Sequence, residues 1–252
     1  MKGNGGFPVR VRFAKRGKVR FISHRDVARA FERAFRIEQL PLAFTEGFSP
    51  RPKVSFGLAL SVGHESDAEY LDVELTEPVD TDVLAERLAP ALPEGMPATG
   101  AVRLSERAPA LQESITEVRY QVATVDGHGH PVPEEVLDTA VSGALASEVL
   151  NVARVRKGKE SVDDIRPVLR SIELAHDSDT PVLELTLLTQ PRGARPREVL
   201  DALDQFTSAT GVGVGLAEHR VTRTSQWIER GGARLEPLEA DAFALVLEAS
   251  AS

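Results

Sequence analysis

The sequence predicts an α+β protein of two tandem ferredoxin-like units, each with an antiparallel-rich sheet and helices packed on one face. Three observations predict it. Short runs that alternate apolar and polar residues recur along the chain, which is the period of half-buried strands. Each half sets two helical patterns among those strands, an arrangement that suits antiparallel sheets with helices to one side. A polar stretch with Pro109, residues 105–114, separates two segments of the same element order. At 252 residues, 42% of them apolar, the chain is long enough for two domains that bury their own cores.

The first strand is Phe7–Phe13, where Val9, Val11 and Phe13 alternate with Arg10 and Arg12. Lys15, Arg16 and Gly17 then turn into a short extended run, Val19–Phe21. Ser23 is placed to cap a helix in which Val27, Phe31, Ala34 and Phe35 share one face, with Asp26 near the positive end of the helix dipole. The helix should end near Gln39, because Pro41 turns Leu40 away from helical dihedrals. Strands are expected at Leu42–Thr45, Lys53–Ala59 and Ala68–Leu75, the last with Leu71, Val73 and Leu75 alternating with solvent-facing acids. A helix over Asp80–Leu92 and a strand over Ala98–Leu104 complete the first unit, residues 7–104.

The second unit, residues 115–228, repeats the order. Strand 117–125, helix 133–147, strands near 150–156, 168–175 and 182–188, helix 196–209 and strand 214–224 follow in turn. Residues 229–252, rich in Ala, Glu and Ser, read as a loosely held tail.

Composition excludes several chemistries. There is no cysteine, so disulfides, thiol nucleophiles and cysteine-ligated clusters are ruled out. No apolar run is long enough to span a bilayer and the amino end lacks a signal core, so the expectation is a soluble, cytoplasmic protein without membrane partners. No phosphate-binding glycine loop, dinucleotide fingerprint or nucleophile elbow occurs, and no cofactor is expected. His64, Glu65, Asp67, Glu69 and Asp72 lack the spacing of a metal loop, so no metal site is expected. His128 and His130 flank a glycine turn and read as polar loop.

Charge is unevenly spread. The net charge is −8, yet residues 1–60 hold thirteen Lys and Arg against four Asp and Glu, while the remainder carries −17. The basic end suits a polyanion or an acidic protein surface. Equally, the two regions could complement one another within the fold.

The candidate site lies in that basic end. Arg20, Ser23, His24 and Arg25 gather at the start of the first helix, where unpaired backbone N–H groups favour phosphate or carboxylate. The proline-bounded loop Gly47–Pro52 would hold Phe48, Arg51 and Lys53 close by, and all the cations are expected to converge on one surface. Arg25, Arg29, Arg33 and Arg36 form one stripe along the helix, although Glu32 stands where it can pair with Arg36. The same residues also fit a capped helix with a solvated basic face. Secondary basic patches are Arg154, Arg156, Lys157 and Lys159 at a strand end, and Arg192, Arg195 and Arg197 before a helix with Pro196 in its first position.

The segments Gly17–Asp26, Leu40–Phe44, Glu46–Lys53 and Glu69–Asp72 resemble the radical-SAM-linked protein family, a domain of unknown function found alone or fused to cobalamin-binding-type radical SAM proteins. The likeness is specific over residues 9–75 and looser to about residue 228. It implies a radical SAM enzyme as partner, which a cysteine-free chain cannot be by itself. It assigns no catalytic residue.

Three functions follow as expectations. The first is a non-catalytic accessory subunit that presents an anionic substrate, RNA foremost, to a separate radical SAM enzyme. The second is an RNA-cleaving or RNA-modifying enzyme with His24 as general acid or base. The third is a scaffold that binds protein alone.

Overall fold

Strand β1 (Phe7–Lys15) is the centre of the first sheet, antiparallel to β3 (Glu65–Leu75) on one side and to β4 (Ala98–Arg103) on the other. The register sets Val9 opposite Val73 and Val11 opposite Leu71, so the branched apolar side chains of both strands share one face. Helix α1 (His24–Ile37) covers that face with Val27, Phe31, Ala34 and Phe35, all buried. Phe31 meets Phe13 edge to face at 4.7 Å. Its start is fixed by a reciprocal cap between Ser23 and Asp26. Leu84 and Leu88 of α2 (Leu84–Leu88) and Met96 extend the same core.

The structure is a computed structural model and describes residues 6–105, 108–156, 158–177, 180–207 and 213–240. It divides into two units, Met1–Thr116 with Ser225–Ser252, and Glu117–Thr224. It is a mixed α+β architecture whose registered strand pairs are antiparallel.

In the first unit β2 (Val54–Phe56) pairs with β3, giving the order β4-β1-β3-β2. Only three residues of the expected strand 53–59 join the ladder. Leu42–Thr45 makes just the isolated bridges Leu42–Leu75 and Phe44–Pro52, since flanking prolines have no N–H to donate. Val19–Phe21 is not extended either. It closes a 3-10 turn, Gly17–Phe21, entered through Gly17 at φ 63°. The expected helix over 80–92 is shortened to α2 and a 3-10 turn, Ala89–Ala91.

The expected linker and tail are both structured where described. In the linker Leu111, in α3 (Leu111–Ser114), is buried, and Gln112 Nε2 donates to the Phe56 carbonyl at 3.1 Å. Residues 225–240 belong to the first unit. The last six residues of β10 (Ala217–Arg230) and β11 (Ala233–Leu235) lie there, paired as Ile228 with Leu235. Beyond them Pro237 accepts a hydrogen bond from Arg10, and Glu236 one from the Tyr70 hydroxyl. Composition alone makes this segment look loose, because the sheet residues that hold it lie far earlier in the chain. Residues 241–252 of that tail lie outside the described residues.

In the second unit β5 (Ile115–Val125) lies between the first half of β10 and β9 (Thr180–Leu188), and β8 (Leu169–Asp177) pairs with β9. In each unit the first strand lies inside its sheet, β1 between β4 and β3 and β5 between β10 and β9. Helices α4 (Glu134–Ala146) and α5 (Pro196–Leu203) bury Leu137, Ala140, Val199 and Leu200. A separate hairpin, β6 (Asn151–Arg156) with β7 (Lys159–Asp164), stands between α4 and β8.

Candidate nucleic-acid interface

The cations of the first unit sort into paired and unpaired sets. Along β3, Asp72 takes Arg10 at 2.7 Å, Asp67 takes Arg16 at 2.5 Å, Glu65 takes Arg20 at 3.2 Å and Glu74 takes Lys53 at 3.0 Å. The acids of that strand are therefore partners for the basic end, not a row facing solvent. Much of the charge asymmetry read from the sequence is internal complementarity.

The predicted cluster does not converge. Arg20 answers Glu65 and Lys53 answers Glu74, nine positions apart on one strand, which is about 30 Å of extended chain. Leu71, Val73 and Leu75 point under α1, so Asp72 and Glu74, one residue out of phase, belong to the opposite face. His24 instead sits at the start of α1 with its ring edge-on to Phe56 at 4.8 Å. Lys53 and His24 thus serve different surfaces. Spacing in sequence brings them close; the pleat of β3 separates them.

Around Lys53 is a cleft of about 460 Å³ lined also by Ser55, Asp72 and Glu74, whose charged groups already hold one another or Arg10. Arg51 and Phe48 lie on the loop beyond it, where Thr45 exchanges hydrogen bonds with Arg51 through its N–H and its Oγ1. Phe48 is fully exposed. Among the described residues no ion pair engages the Arg51 side chain.

The stripe on α1 is the part that remains open. Arg25, Arg29, Arg33 and Arg36 are all exposed. Among the described residues no ion pair holds Arg25, Arg33 or Arg36, and the Glu32–Arg36 bridge that the spacing permits is not formed. Arg29 keeps a loose contact with Asp26 at 3.4 Å, both side chains being about half exposed or more. The hydroxyl and backbone N–H of Ser23 hold the Asp26 carboxyl below its ordinary pKa, so this end of the helix carries a fixed negative charge beside the arginines.

The secondary patches are largely consumed by structure. Arg154 is nearly buried and binds Glu198 at 2.6 Å and 2.8 Å and Asp163 at 2.9 Å, tying the β6–β7 hairpin to α5. Arg192 shares Asp163, Arg197 pairs with Asp201 at 2.6 Å, and the Arg195 N–H is taken by Glu198. Arg156 ends β6, and Lys157 lies outside the described residues. Spacing along the sequence does not reveal these acids, which come from other elements.

Nor does it reveal three residues near the α1 start. Phe21, in a segment whose pattern predicts a strand, is 61% exposed on the 3-10 turn. Lys15 and Glu69 are buried beside Phe13, His24, Phe56 and Tyr70 around one narrow cavity. Burial pushes the Lys15 ammonium below its ordinary pKa, with Glu69 pulling the other way. Burial, then the charge of Glu236, raises the Tyr70 phenol above its usual value. Among the described residues there is no cluster of three or more His, Asp or Glu suited to a metal, and no helix long and apolar enough to cross a membrane.

The model of a family described as "Uncharacterized protein conserved in bacteria (DUF2344)" matches residues 9–196. The chain belongs to that family. The matched segment takes in most of β1, all of α1, the loop with Phe48 and Arg51, and the β6–β7 hairpin, and ends where α5 begins. The family description names no radical SAM enzyme. No curated protein matches the chain at a significant level. Among solved structures, a Cbf5-Nop10-Gar1 complex aligns over 88% of this chain and 50% of its own at 10% identity, with a TM-score of 0.47. The archaeal box H/ACA sRNP Nop10-Cbf5 complex aligns over 87% and 48% at 11% identity, with a TM-score of 0.41. The chain spans about half the length of each.

Proposed function

We propose that the protein is a non-catalytic binding subunit that holds RNA along α1 and presents it to a separate radical SAM enzyme. The observation that carries the RNA part is the row Arg25, Arg29, Arg33 and Arg36, exposed on one helix, in a unit where Arg10, Arg16, Arg20 and Lys53 are instead matched by β3 acids. Residues four apart on a helix stand about 6 Å apart along its axis, so successive arginines can meet successive phosphates. The radical SAM partner rests on the sequence resemblance and on the missing cysteines.

A second reading has one observation in its favour. His24 lies at the cavity that also holds Lys15 and Glu69, which gives the enzyme alternative a place for acid–base chemistry. The two separate by experiment. RNA retention by the full chain that falls steeply with salt, without turnover, supports the binding subunit. Turnover abolished in His24→Ala with affinity kept would replace it with the enzyme.

A further inference from the structure

We propose that Phe21 is a stacking platform for an unpaired nucleobase; this rests on the RNA reading and narrows it to single-stranded segments. An isolated exposed phenylalanine needs no explanation in itself. What singles out Phe21 is how firmly its exposed position is held. Lys15 is 4% exposed, and its Nζ donates to the carbonyls of Arg20 and Ile22, both at 3.2 Å, bracketing Phe21 on either side. The Arg20 carbonyl also accepts the Gly63 N–H at 2.8 Å, and the Ile22 N–H closes back on Val19 at 3.1 Å. A buried lysine is thus committed to fixing the backbone around a side chain that contributes little to the core.

The ring itself is half dressed. The Arg20 guanidinium lies 4.6 Å from the ring centroid and covers one face. Glu65 anchors that guanidinium at 3.2 Å and, with the same oxygen, takes the Gly17 N–H that opens the turn at 2.8 Å. One face remains for a ligand. A preorganised ring backed by a cation is the arrangement on which bases stack irrespective of sequence. Four residues of chain reach at most about 14 Å, so a strand with a base on Phe21 can bring a nearby phosphate to Arg25. A duplex keeps its base faces stacked internally, which is why the ligand must be single-stranded.

The test compares two probes on the full chain: a twelve-nucleotide oligoadenylate RNA, and an abasic oligomer of the same length and charge. Phe21→Ala should weaken oligoadenylate binding roughly 5- to 150-fold and leave the abasic oligomer and the salt slope unchanged, with Phe21→Trp restoring affinity. Equal oligoadenylate affinity in Phe21→Ala overturns the platform and leaves the arginine row standing. An equal weakening for both probes also overturns it, because the ring would then act through the fold. If the unaltered chain retains neither probe at low salt, the RNA reading fails and takes the platform with it.

Discussion

Arg10 and Asp72 face one another across β1 and β3 in a two-point ion pair, Nε to Oδ1 at 2.7 Å and Nη2 to Oδ2 at 3.0 Å, with the arginine side chain 1% exposed. A charge this deep is tolerated because it has polar partners at both ends: a bidentate carboxylate on one side, the Pro237 carbonyl on the other. Removing the carboxylate takes from the buried guanidinium the counter-charge that binds it at two points. Asp72→Ala should cost about 3–5 kcal/mol, and the double change Arg10→Met with Asp72→Leu should recover most of it. Urea unfolding of the unaltered chain and both variants checks this, and an Asp72→Ala protein as stable as the original sequence would sink it.

The Ser23 cap is expected to contribute on a smaller scale. Ser23→Ala should destabilise by about 1 kcal/mol. The Asp26 carboxyl is held below its ordinary pKa, so its contribution is present above the unfolded value and is lost as pH falls through the folded one. Ser23→Ala should therefore flatten the acid limb of the stability profile, measured as the urea midpoint on acidification through the carboxylate range.

At the alkaline end the buried Tyr70 phenol dominates the expectation. Its pKa is raised by burial and by Glu236, so its contribution is intact below about pH 10 and is lost as pH climbs beyond. Tyr70→Phe should keep more of its neutral-pH stability above that pH than the unaltered chain does. Lys15, whose pKa is lowered, works in the opposite sense and at lower pH, regaining stability as pH rises from its folded value to its ordinary one, so the comparison must hold Lys15 constant.

Arginines that look alike in sequence should part company in solution. Changing Arg25, Arg33 and Arg36 to Ala should lower the salt slope of RNA binding by roughly 0.7 to 1 for each phosphate left unmatched, at little cost in stability. Arg154→Ala should do the reverse, since it strips Glu198 and Asp163 of a nearly buried partner. Filter binding against salt, paired with thermal melts, distinguishes the two groups.

The helix α1 is legible in the sequence because its signals are local: a cap, an acid three residues on, and an apolar face at helical spacing. Its arginine stripe is legible for the same reason. The separation of Lys53 from Arg20 and His24 is not, because it hangs on where along β3 the acids Glu65 and Glu74 lie and on which face Glu74 occupies, and one residue of phase reverses that face. Phe21 is hidden by its own alternation with Val19, which mimics a strand; what bends it into a turn is a lysine and a glutamate from outside the segment. Arg10 reads as the solvent side of a strand, since the segment that covers it arrives 227 residues later.

The chain leaves its first unit after Thr116 and returns to it at Ser225, and this fixes an order of events on the ribosome. The residues that cover Arg10 and Tyr70 are translated only after the whole of Glu117–Thr224. At about 5–20 residues per second, the half-made first unit waits roughly 5 to 25 seconds with its sheet uncovered. The second unit, uninterrupted in sequence, has no such wait and can be finished first. A nascent chain stalled before Ser225 should hold a protease-resistant second unit attached to a first unit that is still open to cleavage.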